Sequence, residues 1–141
     1  MGMYDSGKGS QMVVTVKRQE LLDIVTKNRD LHEKEAADAK VAYGLKLRQT
    51  VLLAKRALNK YAIALRDPDS KAKYPSAEVM APYQLQNPVS YVGEYDRAIG
   101  MLKLHSKDEM TIDMATYQKF VEDDWEFTRG FKAMSSSYLG G

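Results

Sequence analysis

Fifty residues, from Lys17 to Arg66, run without a proline and with a single glycine, Gly44. Within them Leu47, Val51, Ala54, Leu58, Tyr61 and Leu65 recur at alternating steps of four and three, the rhythm of a packed helical seam. Leu22, Val25, Arg29, His32, Ala36, Ala39 and Tyr43 keep the same alternation upstream. One extra step of four joins the two runs, a stutter that unwinds a supercoil locally without breaking the helix. Asp67-Pro68 supplies the stop, because proline lacks the amide donor and restricts the residue before it. The pattern predicts a long N-terminal helix over about 17–66.

Such a helix spans roughly 75 Å at 1.5 Å per residue. A compact chain of this length has a radius of gyration near ~14 Å, a globule roughly 35–40 Å across. The helix therefore either breaks, near Asn28 or Gly44, and folds into a monomeric bundle, or it needs cover from another molecule. The expectation adopted is an unbroken helix, covered partly by the C-terminal half and partly by a second copy, a dimer built on the Leu47–Leu65 seam.

The remainder is expected to form one helical domain, 12–141, after a flexible leader, 1–11. In the leader Gly2, Gly7 and Lys8 approach a phosphate-binding loop, but Gly9 stands where a hydroxyl should hold magnesium, and no strand precedes it. Val13 to Val16 form a β-branched stretch, with Thr15 a candidate helix cap. A connector, 67–91, holds all four prolines; Tyr83, Leu85, Val89 and Tyr91 alternate with polar residues, which predicts an extended edge segment. A helical cap over 92–139 follows. It comprises one helix from Tyr91 to about Leu104, a short strand at Met110–Ile112, and a third helix capped by Asp113. That last helix carries Tyr117, Phe120, Trp125, Phe127 and Phe131, and Tyr138-Leu139 is expected to tuck back. The fold class is mainly α, with a proline-rich extended connector.

Charge is divided unevenly. The net formal charge is only +2, yet no acidic residue occurs from Ala39 to Arg66, where Lys40, Lys46, Arg48, Lys55, Arg56, Lys60 and Arg66 lie. The densest acidic cluster is Glu122, Asp123, Asp124 and Glu126. Either the acidic half docks on the basic helix, in cis or across a dimer, or the helix presents an anion-binding face. Absence of cysteine removes disulfides and thiolate metal sites and fits a cytosolic protein. No apolar run approaches the eighteen or so residues of a membrane span.

Chemistry is sparse. His32 is expected to be a structural residue facing a partner, and His105 to sit at a helix C-terminus, where a protonated imidazole suits the dipole. Glu122 and Glu126, a turn apart, are weak candidates for a hard cation and are better read as solvated or paired with Arg129 or Lys132. Arg97 is expected to pair with the acidic cluster while Trp125 packs beside Tyr95 and Ile99; alternatively Arg97 and the tyrosines line a ligand pocket. No nucleophile, base and orienter are arranged together, so no catalytic residue, cofactor or metal is assigned.

EYDRAIGML (Glu94 to Leu102), the Lys107–Met110 turn, VEDDWEF (Val121 to Phe127) and the terminal MSSSYL resemble an uncharacterised family of small phage and prophage proteins. VTVKRQELL (Val14 to Leu22) is similar to the family's start and points to Met12 as initiator. The chain departs at Phe127, usually a second tryptophan, and at Ser135, usually asparagine. The family has no established activity. The resemblance implies a phage context, in host cytoplasm or virion, and no catalytic residues.

These readings converge on a non-enzymatic interaction protein that engages a host or virion protein through a helical surface. The alternative is a nucleic-acid or nucleotide binder using the basic helix, 40–66. Candidate contacts are Lys40, Lys46, Arg48, Lys55, Arg56, Lys60 and Arg97. Only Gln49, Thr50 and Asn59 could reach base edges, so any nucleic-acid binding is expected to be weak and non-specific.

Overall fold

The computed structural model describes residues 12–138. The leader, 1–11, and the packing expected of Tyr138 and Leu139 lie outside the described residues. The chain is mainly helical: β1 (Val13–Lys17), α1 (Arg18–Ala64), α2 (Ser76–Gln84), α3 (Val92–Leu104), β2 (Glu109–Asp113), α4 (Met114–Glu122) and α5 (Glu126–Tyr138). Two compact units are distinguished. One combines residues 12–36 with Val89–Ala133, and the other combines Ala37–Pro88 with residues 134–138.

α1 is unbroken through both Asn28 and Gly44. It ends at Ala64 in a tightened turn, where the Arg66 and Asp67 amides donate to the carbonyls of Ile63 and Ala64. Asp67 then accepts the Asp69 amide on its side chain at 3.0 Å, an Asx turn that accommodates Pro68.

Thr15 does not cap α1. β1 runs straight into the helix, and Thr15 is paired with Thr111 of β2 in the antiparallel register Val13↔Asp113 to Lys17↔Glu109. Alternation places Val14, Val16, Met110 and Ile112 inward, and Thr15 and Thr111 outward with their hydroxyls 3.3 Å apart. The Arg18 amide donates to Asp108 at 2.7 Å and so joins the start of α1 to the turn before β2.

In this first unit the core is Val16, Leu21, Val25, Tyr95 and Leu102, flanked by Ala98, Ile99, Tyr117, Phe120 and Phe127. On α3 the spacing Tyr95, Ala98, Ile99, Leu102 turns one stripe inward. Polar clasps ring it. Arg29 of α1 meets Asp96 of α3 at 2.6 Å, and Tyr117 of α4 donates to Glu20 of α1 at 2.7 Å.

The expected third helix is two helices. Asp123 adopts a left-handed conformation (φ 52, ψ 44), which aspartate tolerates better than most side chains, and α4 stops there. Asp113 occupies the position before α4 but makes no side-chain cap bond.

The connector also departs from expectation. Instead of an extended strand it contains α2, with Tyr83 and Gln84 in its last turn and Pro82 inside. Proline removes one intrahelical bond there, and the helix ends two residues later with Leu85 extended. No strand forms over 85–91. In this second unit Tyr61 of α1 meets the ring of Tyr74 edge-on at 5.7 Å.

Leu21 is 1% exposed. Leu21→Ala is expected to lower stability by about 2–5 kcal/mol through lost burial and the cavity left behind. Chemical denaturation measures this, and a loss below ~1 kcal/mol would show that the first turn of α1 is not part of the core.

Candidate functional site

Two features stand out, one in each unit. The first is an aromatic and carboxylate cluster around His32. α1 carries His32 inward, where it is 4% exposed. Its Nε2 accepts the Tyr91 backbone N–H at 2.8 Å, so the proton of the neutral ring sits on Nδ1. Phe131 meets the ring edge-on at 4.5 Å, and Tyr91 and Tyr95 lie tilted at 6.0 and 5.4 Å. Burial holds the His32 pKa below its ordinary value, opposed by the negative charges of Asp123 and Glu35. Rather than facing a partner molecule, His32 faces its own chain, fixing the residue before α3.

Tyr95 donates its hydroxyl to the Asp123 carboxylate, 2.8 and 2.9 Å from the two oxygens. Burial, reinforced by that bond, pushes its pKa far above the usual range. Thr128, 2% exposed, accepts the Trp125 amide at 3.0 Å and stands 2.9 and 2.7 Å from the carbonyls of Asp123 and Trp125. A buried hydroxyl is thereby satisfied in the link between α4 and α5. Arg129 grips Asp124 at 2.6 and 3.0 Å, and that hydrogen-bonded pair holds the Asp124 pKa below its ordinary value. Lys132 lies 4.0 Å from Asp123. The acidic cluster is thus engaged largely by α5's own cations. Glu122 and Glu126 lie in different helices, and no metal-holding group of acidic and histidine side chains occurs among the described residues.

Arg97 does not reach the acidic cluster; it pairs with Glu94 at 2.7 Å on its own helix. Trp125 meets Phe120 of α4 edge-on at 5.1 Å, and it lines the same small cavity as Tyr95. His105 follows the end of α3 as expected, with its Nε2 buried and without a hydrogen-bond partner among the described residues.

The second feature is the exposed face of α1 beyond Ala37. Lys40, Lys46, Arg48, Lys55, Arg56 and Lys60 are all exposed, and none makes an ion pair among the described residues. Of the expected oligomer seam, Leu47, Val51, Ala54 and Tyr61 are half-buried within the chain, while Leu58 and Leu65 are exposed. A different apolar line is more open: Val41 is 66% exposed, Leu45 51%, Leu52 47% and Ile63 50%. Steps of four, seven and eleven residues are each close to whole helical turns, so the four share one stripe. By the same geometry Arg48 and Lys55 flank the stripe on one side, Arg56 and Lys60 on the other. The heptad reading missed it because polar Asn59 and the arginines interrupt the run. The seven-residue step from Leu45 to Leu52 was the available signal.

No helix among the described residues is long and apolar enough to cross a membrane. Comparisons with protein-family models, curated proteins and solved structures yield no match.

Because the folded state holds His32 neutral, stability is fully present above its unfolded pKa of about 6.5 and is lost as pH falls toward the lower folded value. Wild type is expected to lose more stability than His32→Gln between about pH 7 and pH 5. Urea titrations across that range test the sign; parallel profiles would show that His32 is not held neutral.

Proposed function

We propose that this chain is a non-enzymatic interaction protein whose α1 face, from Val41 to Ile63, docks an acidic, partly apolar segment of another protein. The phage-like motifs support a host or virion protein as that partner, met in the host cytoplasm or the particle.

The observation behind this reading is the exposed aliphatic stripe bordered on both sides by cations that form no ion pair among the described residues. Full burial of a large aliphatic side chain is worth about 1.5–3 kcal/mol. With roughly half of each already covered, the four give about 3–6 kcal/mol before any cost of association. That falls short of the ~8 kcal/mol of micromolar binding, so the cations must contribute. An acidic amphipathic helix answers both needs, laying its apolar positions along the stripe and its carboxylates against the flanks.

Duplex DNA answers only one. Phosphates would meet the cations, but Leu45 and Leu52 would face a polar backbone, and the basic residues are spread over several sides of the helix. A second copy laid on the same segment brings Arg48, Lys55, Arg56 and Lys60 toward their own counterparts, which disfavours it electrostatically.

A fluorescently labelled acidic amphipathic peptide is expected to bind, and Leu52→Asp to weaken it at least about tenfold by burying an unpaired charge. Labelled duplex DNA is expected to bind weakly and to fade steeply between ~50 and ~200 mM salt. DNA binding that survives high salt and ignores Leu52→Asp would replace this reading with the nucleic-acid one. Light scattering covers the remaining case: a dimer dissociated by Leu52→Asp would make the face a self-interface.

A further inference from the structure

The link between α4 and α5 closes a small cavity that is independent of the α1 face. Its volume is about 130 Å³, and it is lined by the aromatic residues Tyr95, Phe120, Trp125 and Phe127 together with Glu94 and Asp123. The rings form two edge-to-face pairs, Phe120 with Trp125 at 5.1 Å and Tyr95 with Phe127 at 5.4 Å. The remaining lining residues, Val25, Asn28 and Ala98, carry no charge, so every charge on the wall is negative.

We propose that this cavity binds a small quaternary or alkylated ammonium group. Aromatic faces present negative potential, and a cation held against them is stabilised while its methyl groups fill an apolar space. Glu94 and Asp123 add acidic residues to the same lining. An anion would meet them unfavourably. A hydrocarbon would fill the space without gaining the attraction that the rings and the two acids offer a cation. Both acids have neighbours outside the cavity: Arg97 at 2.7 Å from Glu94, and Lys132 at 4.0 Å from Asp123. Tyr95 donates to Asp123 and so fixes the direction of that side chain.

Size sets a second limit. A comparable cavity of about 150 Å³ in another protein takes benzene, so about five or six non-hydrogen atoms fit here. Tetramethylammonium meets that limit, as does the trimethylammonium head of a methylated lysine side chain inserted from outside. The ligand class is the same in both, and its source is either a free cation or a modified side chain.

Trp125 is the sole tryptophan, so its fluorescence reports on the cavity wall directly. Titration with tetramethylammonium chloride, against sodium chloride at equal ionic strength, is expected to give a saturable change. Tert-butyl alcohol, neutral and of similar shape, is expected to bind at least about tenfold more weakly. Glu94→Gln, a change on a partly exposed side chain, is expected to weaken tetramethylammonium several-fold while circular dichroism stays unchanged. A peptide bearing trimethyllysine, compared with the free cation, tells a side-chain ligand from a small molecule. The absence of any saturable response, equal affinity for the alcohol, or indifference to Glu94→Gln would each overturn the proposal.

Discussion

The hydrogen bond from the Tyr91 amide to His32 is the contact on which the first unit turns. It satisfies the donor of the residue before α3 and sets where that helix starts. A ring at this position must be neutral to accept, and burial keeps it so. Around it the rings of Tyr91, Tyr95 and Phe131 bring α1, α3 and α5 together. Leu21 and Val25, three and two turns earlier on α1, then meet Tyr95 and Leu102 in the same core.

Asp123 has a comparable organising role at the other end of this unit. Its left-handed backbone ends α4, and its carboxylate accepts from Tyr95 of α3. Thr128 completes the turn by accepting the Trp125 amide, and Arg129 holds Asp124 against the new helix. One residue thus breaks a helix, redirects the aromatic side chains that follow, and places a negative charge beside them. A straight helix through this stretch would have carried Trp125 and Phe127 on a continuous surface, with no cavity between them and Phe120.

The charge division along α1 follows from what each part of the helix has to pack against. Arg29 is committed to Asp96, Asp30 and Glu33, and Arg18 to the carbonyls of Lys103 and His105. Past Ala37 the cations have no such commitments among the described residues. Together with the open line of Val41, Leu45, Leu52 and Ile63, they form the surface that has most to gain from a partner.

Periodicity alone determined the long helix, its end near Asp67-Pro68, the boundaries of α3 and the short strand at Met110–Ile112. These depend on local spacing and backbone restriction, which neighbouring residues in the chain decide. Three features were legible only in the tertiary structure. Thr15 pairs across a hairpin whose second strand lies ninety-six residues away, so no local rule could assign it. Pro82 sits inside a helix despite its helix-breaking preference, and the acidic run at Asp123 reads as helical surface until Tyr95 and Lys132 are seen beside it. Which apolar stripe of α1 stays open likewise depended on what the chain lays against the other face. Local preference sets where a helix can form; long-range packing decides which of its faces is left to water.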